Sequence, residues 1–87
     1  MTDRAGWHYT ALARRLILAT LSDDEDACRH IAVEVGDCVH CWESVALAVA
    51  FAAVSALRRV AEVDGTDPVR AVEGEIAYAL DKFTDPA

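Results

Sequence analysis

DCVHCWESVALAVAFAAVSALRRVAEV, residues 37–63, decides how the rest of this chain must fold. Neither Gly nor Pro interrupts it, and Ala, Val and Leu dominate, so the spacing predicts one uninterrupted helix. Asp37 is placed to cap its start, and Gly65 lies where a left-handed residue usually stops a helix. Such a helix of about 25 residues is about 38 Å long at about 1.5 Å per residue. Within it, residues 45–54 read VALAVAFAAV, with no polar side chain on any face. A helix apolar all round is expected to be buried, with the other elements wrapped around it.

At about 100° per residue, Val39, Trp42, Ala46, Val49, Ala50, Ala53, Leu57 and Val60 share one broad face. That face is expected to point into the core, with Trp42 as its anchor. Leu47, Phe51 and Val54 form a second stripe at spacings of four and three, and Ala48, Ala52 and Ser55 a third of small residues. A bundle helix buries about half its circumference, which the broad face already uses. Leu47, Phe51 and Val54 are therefore the candidate interface, and exposed apolar stripes of this kind are covered most simply by a second copy about a two-fold axis.

Working outward, Tyr9, Leu12, Ala13, Leu16 and Thr20 give the first helix an inward stripe, widened by Ile17, Leu18 and Leu21. Ser22 and Glu25 have the spacing of a capping box, and the acidic run 23–26 suits the positive end of a second helix. That run lacks the alternating oxygens, central Gly and distal Glu of a calcium loop. Cys28, Ile31, Ala32 and Val35 form the second helix's inward side, and Gly36 ends it. After the central helix, Gly65, Asp67 as cap and Pro68 at the first helical position make a tight turn. Val69, Val72, Ile76, Leu80 and Phe83 then make an amphipathic stripe, interrupted only by Gly74. The expected fold is all-α, a four-helix antiparallel bundle or small orthogonal array around one long central apolar helix. It forms a single domain over 1–87, with helices near 6–21, 23–35, 38–63 and 68–83.

The chain has 87 residues, 54% of them hydrophobic, and a net charge of −7. An acidic surface does not suit phosphate backbones, and the second and central helices do not make a DNA-reading helix-turn-helix, because the central helix would bury every base-contacting position in apolar side chains. No partner nucleic acid is expected. The charge-free run 44–57 has the length of a core helix, and Glu43 would be costly inside a bilayer, so no membrane is expected either. The N-terminal segment has no apolar core of a signal peptide, and three Cys is an odd number. Both point to the cytoplasm, with free thiols.

Cys38-Val39-His40-Cys41 is the one constellation with chemical potential. A helix N-terminus lowers the pKa of a thiol, so a redox pair is sensible there. The four residues resemble the Cys-x-His-Cys of thioredoxin-superfamily oxidoreductases, although the Pro inside that motif and the βαβ context are missing. All-helical peroxidase-reductases of the carboxymuconolactone decarboxylase type also use CxxC, followed by a His. Here Glu43, Ser44 and Val45 follow instead. The plainer reading makes Cys38 a small core residue and Cys41 a helix-packing one. A zinc site from Cys28, Cys38, Cys41 and His30 or His40 is disfavoured, because antiparallel helices set Cys28 and Cys38 about 9 Å apart along the axis. With no Ser-His-acid set, phosphate loop or HExxH, neither enzyme activity, cofactor nor metal is expected.

The absence of Asn and Gln, the single Lys and the LxxLSDDEDA pattern at 18–27 give the chain the style of small all-helical hypothetical proteins of actinobacteria and their phages. That resemblance implies a GC-rich source and no particular activity. The function expected from the sequence is a non-enzymatic, homodimeric protein–protein interaction module, open to a further protein partner in its host. A thiol-redox protein using Cys38 and Cys41, or a metal-binding module, is the alternative.

Overall fold

A computed structural model describes residues 4–84, and among them the chain is all-α: α1 Arg4–Leu21, α2 Glu25–Val35, α3 Val39–Asp64 and α4 Pro68–Thr84. Packing groups the chain into two compact units, Met1–Ala53 and Val54–Ala87, divided within α3.

The turns explain the helix boundaries. Asp23 takes a left-handed φ of 54°, and the Asp24 and Asp23 amides donate to the Ala19 and Thr20 carbonyls at 2.9 and 3.2 Å. This double bond pattern closes α1 in the way glycine usually does. The same corner starts α2, where Asp24 Oδ1 accepts the Ala27 amide at 3.0 Å. Asp24, and not the Ser22–Glu25 box, is therefore the cap. Glu25 and Asp26 instead reach forward to Arg29 at 3.3 and 3.0 Å. Gly36, at φ 68°, ends α2 by donating its amide to Ala32. At the start of α3 the expected cap moves one residue, from Asp37 to Cys38, whose Sγ accepts the Cys41 amide at 3.1 Å. Asp67 Oδ1 accepts the Val69 amide at 3.0 Å, so α4 begins with its expected cap and with Pro68 at the first position.

In the unit Met1–Ala53 the core is a small three-helix cluster. Leu12 and Ala19 of α1 meet Ile31 and Val35 of α2 and Val45 of α3, with Tyr9, Leu16, Cys41 and Val49 packed around them. Leu12 and Ala19 are seven residues apart, and Ile31 and Val35 four, so each pair stacks on one helix face. Ala19 takes the inward place expected of Thr20, while Leu18 and Leu21 are exposed. Ala32 is exposed too, because its side of α2 turns to solvent.

The largest departure from expectation concerns α3. Its more buried side is Cys41, Val45, Ala48, Val49 and Ala52; of the broad face expected to point inward only Val49 does so, and the rest is exposed. On this side Val45 enters the core cluster, with Cys41 and Val49 packed against it. Trp42 is not a core anchor. It stays 38% exposed, and its Nε1–H donates to the Gly36 carbonyl at 2.8 Å. The indole thus closes the last turn of α2 from outside. Residues 45–54 are likewise not enclosed, since only Val45 among them is fully buried.

Across α1 and α2, Arg15 grips Glu34 with two bonds at 2.6 and 3.2 Å. The Arg15 hydrogen bonds hold the Glu34 carboxyl below the usual range against an opposing desolvation, with smaller help from the charges of Arg15, His8 and His30. A carboxyl depressed in the folded state stabilises above its unfolded pKa of about 4.3, and that contribution is lost as pH falls on through the lower folded pKa. The pair is solvent-exposed, so its effect is small. Thermal melts of wild type and Glu34→Gln should therefore differ slightly at pH 6, and the difference should shrink as pH falls toward 3. A difference that does not shrink would assign Glu34 another role.

In the unit Val54–Ala87, the end of α3 and α4 form a helical hairpin. Gly65 adopts φ 68°, and the Thr66 amide reaches back to Ala61 at 3.0 Å, closing the turn. Ala61 is buried, and Val72 and Pro68 are half-buried. A Cβ at Gly74 would meet nothing within 4 Å, so this glycine serves no close packing. Gly74→Ala should raise stability by about 0.5–1 kcal/mol through helix propensity alone, read as a higher Tm.

Candidate functional site

Two features carry chemistry or recognition, and α3 positions both. The first is the stripe Leu47, Phe51 and Val54, exposed by 63%, 75% and 41%. Helical spacing puts the three on one side of α3, Leu47 and Phe51 within the unit Met1–Ala53 and Val54 within the unit Val54–Ala87. In the unit Met1–Ala53, Leu47 and Phe51 form one wall of an open groove whose other wall includes Tyr9 and Thr10 of α1. The groove floor is Ala48 and Ala52, small enough to admit a side chain. In the unit Val54–Ala87, Val54 and Leu57 face Val69 and Val72 across a second apolar groove. The α4 stripe continues outward from there, with Ile76, Leu80 and Phe83 exposed. Sequence periodicity identified every residue of this α4 stripe.

The second feature is the cysteine pair. Cys38 and Cys41 are not free thiols: their sulfurs stand at disulfide-bonding distance, with Cα atoms 5.1 Å apart. Cys38 is exposed and is no core residue, whereas Cys41 is half-buried against the three-helix core. Tyr9 of α1 donates its hydroxyl to Cys41 Sγ at 3.6 Å. The Tyr9 ring lies between His8, at 5.6 Å between centroids, and His40, edge-on at 6.5 Å. Tyr9 was read from the sequence only as part of the α1 stripe; its separation of 32 residues from Cys41 left no local signal.

Cys28, the remaining free thiol, sits half-buried with Thr20 Oγ1 at 3.9 Å. Among the described residues no three His, Cys, Asp or Glu side chains converge as metal ligands. By length and composition α3 is apolar enough to cross a membrane, with a mean hydropathy of 1.6 over its best 18 residues. No protein-family model matches this chain, and neither the curated proteins nor the solved structures contain a significant match, so its function must be argued from these residues.

Proposed function

We propose that this chain is a cytoplasmic, non-enzymatic interaction module that works by self-association through α3, with a second copy as the occupant of the Leu47–Phe51–Val54 stripe. The observation that carries this reading is the exposure of those three side chains together on one helix face. Contiguous apolar surface of this kind on a small soluble protein marks an interface. Charge favours a second copy as the partner. The chain carries −7 overall, yet residues 44–57 hold no ionisable side chain, so two stripes meet without bringing like charges together. An isologous pairing about a two-fold axis also leaves no open apolar end. In such a dimer the Leu47–Phe51–Val54 side of α3 is covered by its counterpart in the second copy.

Insertion in a membrane is the competing use of the same surface. The charge-free run of 14 residues spans about 21 Å, against a hydrocarbon layer of about 30 Å, and Glu43 and Arg58 bound it closely. The shortfall favours association in water. Phe51→Glu should give a monomer, while Arg70→Glu, on exposed α4 surface, should leave the dimer intact. Sedimentation of the two variants side by side tests this. Equal dissociation by both would remove the stripe from the interface, and wild-type protein found only with added lipid vesicles would favour the membrane.

A further inference from the structure

We propose that Cys38 and Cys41 form a thiol–disulfide exchange site for disulfides on polypeptides, with Cys38 as the attacking sulfur, Cys41 as the resolving one and Tyr9 as a positioning residue for Cys41. The two sulfurs differ in just the ways exchange requires. Cys38 is exposed, so an incoming disulfide reaches it, and Cys41 is half-buried, so it does not compete. Cys38 Sγ accepts the Cys41 amide at 3.1 Å, at the positive end of α3. That bond and the helix dipole both favour its thiolate, the nucleophilic form. Cys41 Sγ receives the Tyr9 hydroxyl at 3.6 Å from a different helix, which fixes its direction and stabilises negative charge on it. Tyr9 also lines the groove beside Leu47 and Phe51, so this site adjoins the stripe at which the copies associate, while Cys38 and Cys41 lie outside that groove.

The exchange proceeds in two displacements. The Cys38 thiolate attacks one sulfur of a substrate disulfide; a Cys38–substrate S–S bond forms, the substrate S–S bond breaks, and the departing thiolate takes a proton from water. Cys41 then loses its proton, and its thiolate attacks Cys38 Sγ. The Cys38–Cys41 bond forms and the second substrate thiolate leaves, so the substrate gains two electrons and the pair loses two. A dithiol reductant restores the pair by the reverse steps. The substrate class follows from the rim. Val39 and Trp42, both partly exposed, flank Cys38 with apolar surface suited to an unfolded or extended polypeptide. Glutathione disulfide is an anion, and the net charge of −7 and the neighbouring Asp37 oppose its approach.

The test uses the full chain, insulin as the disulfide substrate and dithiothreitol as the reductant. Wild type and Cys28→Ser should speed insulin reduction above dithiothreitol alone, by about tenfold at equal thiol. Cys38→Ser should lose the acceleration. Cys41→Ser should accumulate a Cys38–insulin mixed disulfide, visible by intact mass. Tyr9→Phe should slow release of that species without changing its rate of formation, a split that mere loss of packing does not produce. Since a variant can fail to fold, alkylation of the reduced wild type is mapped as well, and Cys38 should react at least about tenfold faster than Cys41. Equal reactivity of the two cysteines, or acceleration by Cys38→Ser equal to wild type, would overturn the proposal. Faster oxidation by glutathione disulfide than by insulin would overturn the polypeptide assignment.

Discussion

Ile31→Ala is expected to lower the unfolding free energy by about 2–5 kcal/mol, a large share of the about 5–15 kcal/mol that small domains possess. Ile31 is 3% exposed and shares the core cluster with Leu12 of α1 and Val45 of α3. The cluster has few members, so a cavity there has little around it that can collapse inward. Trp42→Ala, by contrast, is expected to cost only about 1–2 kcal/mol, for one hydrogen bond and partial burial. Urea unfolding at one fixed protein concentration compares the two directly, since dissociation makes apparent stability depend on concentration. If Trp42→Ala proves the more damaging, the core lies around the indole and not where Ile31 places it.

Phe51→Glu is expected to weaken self-association more than any other single change. Phe51 is 75% exposed in the isolated chain, so its burial comes almost wholly from association. Covering a phenyl group is worth about 1.5–3 kcal/mol, and a two-fold interface uses it twice, giving about 3–6 kcal/mol or about 10²–10⁴ in Kd. Two carboxylates brought together across the axis add repulsion to that loss. The fold of the unit Met1–Ala53 should survive, because Phe51 is no member of its core. Unchanged helical circular dichroism with a weakened dimer is the expected pair of results. A Phe51→Glu protein that associates as tightly as wild type would show that the stripe is not the contact.

Much of the fold was legible from local chemistry. Gly36, Gly65, Asp67 and Pro68 each state a helix boundary through a conformation or cap that few other residues supply, and the helices fall within two residues of the expected limits. Asp23 was less legible because its left-handed φ of 54° does the work normally given to glycine, which moved the α2 cap to Asp24. The orientation of α3 was not legible. In VALAVAFAAV every face is apolar, so periodicity carries no direction for the inward side. Trp42 misled for a related reason: its bulk suggests the core, but its ring N–H needs an acceptor, and the free carbonyl of Gly36 lies at the helix corner. For the cysteine site, the CxxC spacing was visible in the sequence, while the exposure of Cys38 and the reach of Tyr9 across 32 residues depend on packing.

The self-association of the chain is tested most directly by multi-angle light scattering on size-exclusion chromatography of the wild-type protein at tens of micromolar, without lipid. The expected result is one species at twice the chain mass of 9.4 kDa, which Phe51→Glu shifts to the monomer and Arg70→Glu does not. A wild-type peak at 9.4 kDa across that concentration range would contradict it.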